Sequence, residues 1–191
     1  MKILLVVFSV VLLLGCFDKR HKFDSEELVF RRFEKKYDSL RTSLKDSLHS
    51  SIRNVNDFNQ LYTISEKIQL DSIISDFERK SGLKLALITF DSTMTSKDSV
   101  EEVTRIIGIK NRINTTIGIS VSHRIMYIWN DSLVNNTLFD EYSTKSIIDN
   151  YFTPSFGKGE YYNGTIQGVN KIIQTAFIKL KSQKSIKKNG S

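Results

Sequence analysis

The sequence contains few of the residues that build covalent or metal-based chemistry. Among its 191 residues there are one cysteine, Cys16, and three histidines, His21, His49 and His123. A single cysteine excludes an internal disulfide. The histidines lie far apart in sequence, and no HExxH motif or Cys/His spacing typical of a zinc site occurs. A Gly-x-Ser-x-Gly elbow and a phosphate-binding glycine-rich loop are also missing, so the sequence does not indicate catalysis by an activated serine or cysteine.

Long apolar runs are missing as well, apart from residues 3–14, which are interrupted only by Ser9. This run is shorter than the about 20 residues that a transmembrane helix needs. Lys2 precedes the run and Leu14-Gly15-Cys16 close it, which is the pattern of a secretory signal. Leu14-Gly15-Cys16 resembles a bacterial lipobox, in which the signal is cleaved before the cysteine and the thiol is lipidated. The alternative is a buried N-terminal strand with an ordinary cysteine.

We therefore predict a lipoprotein signal peptide over residues 1–15 and a lipid anchor at Cys16. The anchor makes the membrane a partner of the mature chain. Lipidation also modifies a thiol that would otherwise be unpaired outside the cell. The predicted location is the bacterial cell membrane or outer membrane, with the folded domain in the periplasm or outside the cell. A protein of the cell envelope is the expected second partner.

Acidic residues are missing from the C-terminal end of the chain. The net charge is +7, and no aspartate or glutamate follows Glu160. The lysines beyond that point are Lys171, Lys179, Lys181, Lys184, Lys187 and Lys188. A lysine-rich C-terminal end without acidic residues either contacts anionic lipid or nucleic acid or is solvated. We predict a basic disordered tail over residues 181–191. Aromatic residues do not alternate with the lysines as base stacking requires, so nucleic acid is not an expected partner.

Glycine and proline are both missing from residues 17–54, which is not the composition of a flexible linker. Apolar residues recur there at the three- and four-residue spacings of one helix face. These residues are Phe33, Tyr37, Leu40, Leu44 and Leu48. We therefore predict that residues 16–54 comprise the lipidated cysteine and a helical tether, whose apolar face docks on the domain or pairs with another chain.

Helix and strand patterns alternate over residues 55–180, which we predict to be one domain. In order, the predicted elements are a helix from Thr63 and Glu66 to Gly82, a strand over 83–90, a helix from Asp98, strands over 117–121 and 125–129, and helices over 142–151 and 161–180. The two adjacent strands suit a hairpin, and Pro154 is expected to end the helix before it. This alternation predicts a three-layer α/β/α sandwich with a mixed sheet of about four strands.

The order of these signals resembles that of the TPM domain family. The matching stretches are Val55-Asn56-Asp57 before the first helix, residues 81–88 at a strand, His123-Arg124 in the hairpin and, most specifically, residues 152–164. The resemblance implies an α/β/α sandwich. It also implies lipoprotein or membrane-tethered members, and calcium binding or acid phosphatase activity in some of them.

The chain departs from the family where the resemblance implies an acidic site. Asn114-Thr115-Thr116 stands in place of the family's Asp-Asn-Gly, so a carboxamide replaces a carboxylate. The oxygen-bearing residues that the resemblance assigns to a metal there are Asp57, Asn114, Asp131, Asp140 and Glu141. Either Asp140 or Glu141 matches the family's acidic residue before the third helix. Calcium takes six to eight oxygen ligands, part of which this set supplies. Helix capping and turn formation are the alternative roles for its aspartates.

Two functions follow as hypotheses. The first is a non-catalytic envelope lipoprotein whose TPM-like domain binds a protein partner. The second is a calcium- or magnesium-dependent phosphatase acting on phosphomonoesters, in which Asp57 and Asp140 hold the cation that polarises a phosphoryl oxygen. The loss of the acidic residue at Asn114 favours the first, for which no cofactor is required.

Overall fold

The computed structural model describes residues 54–91 and 100–189, together with Arg31 and Lys35, which are both helical. Cys16, the signal peptide and the rest of the predicted tether lie outside the described residues. Asp98, the predicted start of a helix, also lies outside them. In the parts of the chain that are described, no helix combines the length and the apolar character needed to cross a membrane.

A four-stranded mixed sheet organises the domain. In chain order its elements are β1 (Val55–Asp57), α1 (Ile64–Ser81), β2 (Leu85–Thr89), α2 (Val100–Lys110), β3 (Thr115–Ser120), β4 (Ile125–Asn130), α3 (Ser132–Thr137), α4 (Glu141–Ile147), a π-helical turn (Ile148–Phe152), α5 (Thr153–Phe156) and α6 (Tyr161–Asn189). The strand order is β1-β2-β3-β4; the first three strands are parallel and β4 is antiparallel to β3. The predicted mixed sheet and hairpin are therefore confirmed.

Helices cover both faces of this sheet, which confirms the three-layer architecture. On one face, the paired residues Leu87 and Ile117 belong to a core shared with α1, α4 and α6. On the other face, Gly118 lies against α2, where an added Cβ would meet the Thr104 hydroxyl oxygen at 2.0 Å. Because successive strand residues point to opposite faces, the near-continuous apolar character of β2 fits a strand buried on both sides.

The two crossover connections have opposite hands. From β1 to β2 and from β2 to β3 the chain steps in the same direction between parallel neighbours. The connecting helix α1 packs on one face, whereas α2 packs on the other. One of the two crossovers is consequently left-handed, a hand found in only about 2% of such connections.

Helix α1 begins and ends where the sequence predicts. The Thr63 hydroxyl accepts a hydrogen bond from the Glu66 N–H at 3.3 Å, and the Glu66 carboxylate accepts one from the Thr63 N–H at 2.7 Å. This reciprocal pair is a capping box. At the other end Gly82 has φ 75° and donates its N–H to the Glu78 carbonyl at 2.8 Å. Both predicted signals are confirmed.

The expectation that a helix ends near Pro154 is wrong. Helical backbone continues through the π-helical turn into α5, and Pro154 occupies the first turn of α5. Proline is tolerated there because its missing N–H needs no partner in a first helical turn. The wider π-helical turn also allows the Thr153 N–H to donate to the Ile148 carbonyl.

The predicted disordered tail is also wrong over residues 181–189, because α6 continues to Asn189. These residues contain no glycine or proline, and lysine and glutamine favour helix. The amide of Gln183 donates to the Thr137 carbonyl at 3.1 Å, which ties one of the added turns to α3. The absence of acidic residues therefore indicated the charge of this segment but not its conformation.

A buried hydroxyl lies between the sheet and α2. Thr116 is fully buried, and its hydroxyl oxygen has no hydrogen-bond partner within the described residues. Such a group destabilises a fold by about 1–3 kcal/mol. We therefore expect Thr116→Val to raise the free energy of unfolding by about 1 kcal/mol in urea denaturation.

Thr104→Val is the matched control for this prediction. The Thr104 hydroxyl is equally buried but donates to the Val100 carbonyl at 2.7 Å, so its removal should bring no gain. An equal gain in stability for both variants would show that the missing hydrogen bond is not the cause.

Candidate functional site

Asp57 ends β1 at the carboxyl edge of the parallel strands. Its side chain is only 1% exposed. The carboxylate accepts hydrogen bonds from the Leu61 N–H at 3.0 Å, the Tyr62 N–H at 3.0 Å and the Thr89 hydroxyl at 2.7 Å. The Lys67 ammonium lies 4.0 Å from the carboxylate. Asp57 therefore closes the turn that joins β1 to α1 and links it to the end of β2.

A pair of tyrosines extends this arrangement towards α6. The buried Tyr62 phenol lies 2.8 Å from the Thr165 hydroxyl. Burial raises the pKa of the Tyr62 phenol well above its ordinary value, despite that hydrogen bond. The Tyr162 ring meets Tyr62 edge to face, and its hydroxyl donates to Gln69 at 2.7 Å. These contacts fasten the start of α1 to α6.

Asn114 and Asp131 meet at the opposite edge of the sheet. Asn114 precedes β3, and its side-chain oxygen accepts from the Lys84 N–H at 2.7 Å. Its amide donates to one Asp131 oxygen at 2.7 Å, while the other Asp131 oxygen accepts from the Val134 N–H at 2.8 Å and caps α3. All of these groups are thus engaged in holding together the start of β2, the start of β3 and the end of β4.

A chain of neutral hydrogen bonds lies beside this pair. The Thr115 hydroxyl donates to the Asn130 oxygen at 2.9 Å, and the Asn130 amide donates to the Thr144 hydroxyl at 3.1 Å. Apolar residues of β4, α4 and α6 line the same region, including Ile128, Ile147 and Ile172. These hydrogen bonds connect the β3–β4 hairpin to α4.

Asp140 and Glu141 lie at the start of α4. The Asp140 carboxylate accepts from the Ser143 N–H at 2.7 Å and forms a capping box with that residue. Hydrogen bonds from the Ser143 hydroxyl and N–H hold the pKa of Asp140 below its ordinary value. Glu141 is the first residue of the helix and is exposed. Helix capping thus describes the observed contacts of Asp140.

Of the five residues assigned to a metal, Asn114 and Asp131 are joined by a hydrogen bond, and Asp140 and Glu141 begin α4, which contacts the same edge of the sheet through Thr144. Asp57 lies at the other end of the sheet, because Thr89 beside it pairs with Ile119 and not with the start of β3. Along β3 the distance from Thr115 to Ile119 is roughly 13 Å, at about 3.3 Å per residue. Across the described residues, no group of three or more His, Cys, Asp or Glu side chains is placed to hold a metal ion.

The pair assigned to the phosphatase hypothesis is also divided between the two edges. Asp140 caps the helix whose Thr144 contacts Asn130, at the end of β4. Asp57 instead lies beside Thr89 at the end of β2. Because β4 runs antiparallel to the three strands before it, the end of β4 lies at the opposite edge of the sheet from the ends of β1 and β2.

Sequence reasoning missed several residues of these clusters. Thr89 follows Leu85 and Leu87 at alternate positions of one strand, so its inward orientation could have been inferred from strand periodicity. Thr165 and Thr144 lie within helices, and no local pattern indicates their distant partners. Their contacts depend on packing between elements far apart in sequence.

Comparisons with known proteins agree with this architecture. A family model described as TPM domain matches residues 55–175. A search of curated proteins finds none that matches. The NMR structures of three bacterial proteins are similar in fold. The N-terminal domain of a protein from P. gingivalis has a TM-score of 0.57 and 18% identity, and the match covers 65% of this chain and 82% of that chain.

The second structure is the N-terminal domain of a Corynebacterium glutamicum protein, with a TM-score of 0.51, 11% identity and coverage of 68% of this chain and 83% of that chain. The third is a protein of the psychrophilic bacterium Bizionia argentinensis, with a TM-score of 0.52, 16% identity and coverage of 62% and 83%. At these identities the likeness establishes the shared fold.

Proposed function

Since this chain belongs to the TPM domain family, which it matches over residues 55–175, we propose that it is a membrane-anchored envelope lipoprotein whose TPM domain is a non-catalytic module for binding a protein. One observation carries the proposal. The Asn114 side chain accepts from the Lys84 N–H and donates to Asp131. A neutral group, with its oxygen and its amide both bonded to the protein, therefore stands where the family resemblance implies a carboxylate.

The state of Asp131 supports this interpretation. One of its oxygens caps α3 and the other accepts from Asn114. A hard cation needs six to eight oxygen ligands, with charge to balance its own. Binding one here would remove the hydrogen bond from Asn114 and compete with the cap of α3, which costs about 1 kcal/mol. The arrangement is thus suited to holding the hairpin in place and poorly suited to attracting calcium or magnesium.

Exposed apolar side chains on α1 support a protein partner. Ile64 is 54% exposed and Ile68 is 53% exposed, and the two lie one helical turn apart. Apolar side chains that cluster on a surface are typical of sites where another protein binds. Protein binding also requires no catalytic group and no cofactor.

The anchor at Cys16 is tested by Cys16→Ala in intact bacteria. We expect the native chain to carry fatty acid on its N-terminal fragment, measured by mass spectrometry, and to sediment with membranes. The Cys16→Ala chain should carry none and should be released. Ser25→Ala, outside the lipobox, is the control and should behave as native. Acylation of the Cys16→Ala chain would contradict the proposed anchor.

A second candidate function is metal-dependent hydrolysis of phosphomonoesters. The observation that favours it is the position of Asp57 at the carboxyl edge of the parallel strands, where open α/β sheets bind ligands. The assay uses a lipid-free chain from residue 16 with Cys16→Ala, a generic phosphomonoester, acidic to neutral pH, and calcium or magnesium. We expect no turnover above buffer. Turnover that is lost in a folded Asp57→Asn variant would instead establish the enzyme.

A further inference from the structure

The C-terminal turns of α6 form a basic helical segment, which we define as residues 181–189. Leu180 is the residue just before it and packs against the core. From there the helix continues for nine residues to Asn189, a length of roughly 13 Å at about 1.5 Å per residue. A contact from Gln183 to the Thr137 carbonyl orients the first of these turns against α3. The segment therefore extends the helix of the domain.

The charge of the basic helical segment is of one sign. Its lysines are Lys181, Lys184, Lys187 and Lys188, and α6 contains no acidic residue at all. Positions 181, 184 and 188 follow the three- and four-residue spacing that places residues on one stripe of a helix. In α1, by contrast, Arg79 and Lys80 form ion pairs with Asp76 of the same helix. In α6 no such partner exists within the helix.

We propose that the basic helical segment binds the anionic phospholipid headgroups of the membrane surface. The inference rests on the proposed function in one respect: a lipid at Cys16 would keep the domain close to that surface. Each lysine near an anionic surface strengthens binding by about fivefold at moderate salt. The backbone of α6 places positions 181, 184 and 188 on one stripe of the helix, so lysines occur at positions that share one side of it. Nucleic acid is disfavoured because residues 181–189 contain no aromatic side chain for base stacking.

The test measures binding of the lipid-free chain from residue 16, with Cys16→Ala, to vesicles by cosedimentation. One set of vesicles is pure phosphatidylcholine, and the other contains one third phosphatidylglycerol. The test variant is Lys181→Gln/Lys184→Gln/Lys188→Gln. The control variant is Lys84→Gln/Lys110→Gln/Lys158→Gln, which removes the same charge from exposed positions elsewhere on the domain. Equal thermal midpoints establish that all three proteins are folded.

We expect binding to the phosphatidylglycerol vesicles alone, weakened by added salt. The test variant should lose roughly 100-fold in partition coefficient, from about fivefold per lysine, and the control variant only a few-fold. Equal losses in both variants, or no binding to anionic vesicles, would overturn the proposal. So would tighter binding to a short DNA duplex than to the vesicles at the same salt concentration. Since this protein carries no lipid, the result is independent of whether Cys16 is acylated in cells.

Discussion

Asp57→Ala should lower the free energy of unfolding by about 3–5 kcal/mol, which for a domain of this size threatens folding altogether. The substitution removes the acceptor for the Leu61 N–H, the Tyr62 N–H and the Thr89 hydroxyl at once. It also leaves the Lys67 ammonium without the carboxylate that lies 4.0 Å away. Hydrogen bonds to a charged group are worth more than neutral ones, and buried donors without an acceptor are destabilising. Urea unfolding of the lipid-free chain measures the loss.

Asp76→Ala is the matched control for this prediction. Asp76 also forms ion pairs, with Arg79 and Lys80, but its side chain is 42% exposed. Exposed ion pairs contribute about 0–1 kcal/mol, so this variant should stay close to native stability. If the two alanine variants were equally stable, Asp57 would not hold the turn as the structure indicates. The comparison also matters for enzymology, because activity lost in Asp57→Ala would report unfolding unless the fold is checked.

Gly168→Ala should lower the free energy of unfolding by about 3 kcal/mol. A Cβ at this position of α6 would lie 1.9–2.3 Å from three ring atoms of Phe152, which is itself fully buried. Contacts this short require the ring, the helix or the π-helical turn to shift within the core. Alanine is favoured over glycine within a helix by only about 1 kcal/mol, and this gain is too small to offset the clash. Thermal or urea unfolding measures the net effect.

Gly157→Ala provides the control for the same chemical change. Gly157 has φ −60°, and the nearest atoms to an added Cβ are the carbonyl oxygens of Thr153 and Pro154, at 3.5 and 3.8 Å. This substitution should be neutral or stabilising by up to about 1 kcal/mol. A second test adds Phe152→Leu to Gly168→Ala, and the smaller side chain should recover part of the loss through coupling of the two sites. Equal stability of the two single alanine variants would contradict the close packing.

Local signals were enough to predict most elements of the fold. The capping box of Thr63 and Glu66, the left-handed Gly82 and the apolar run of β2 each indicate one structure through local physics alone. The course of the chain around Pro154 could not be predicted in this way. A proline disfavours the interior of a helix, but the π-helical turn before it depends on how Phe152 packs against α6. The left-handed crossover likewise depends on which face of the sheet each helix covers.

The candidate site could be predicted less well than the fold. The sequence identified Asn114 and Asp131, and their contact at the end of the hairpin is seen in the structure. The sequence could not show that Asp57 lies at the other edge of the sheet, because that distance depends on the direction and register of the strands. Family resemblance supplies a set of positions, whereas only the pairing of the strands determines which of these positions are close in space.

Calorimetric titration of calcium into the lipid-free chain, compared with its Asn114→Asp variant, tests whether the amide of Asn114 prevents calcium binding. We expect no binding heat for the native chain. In the variant two carboxylates face each other where the Asn114 amide now donates to Asp131 at 2.7 Å. Without calcium, we expect the free energy of unfolding of this variant to be about 2 kcal/mol below that of the native chain. We also expect the variant to bind calcium and to recover this loss at a calcium concentration about 100 times the Kd.

The exchange variant Asn114→Asp/Asp131→Asn is the control for this titration. It keeps one carboxylate and one amide in contact, and asparagine caps a helix as well as aspartate does, so it should be stable and should not bind calcium. Calcium binding by the native chain that is lost in Asp131→Asn would contradict the account, because the acidic site would then function without the carboxylate that Asn114 replaces.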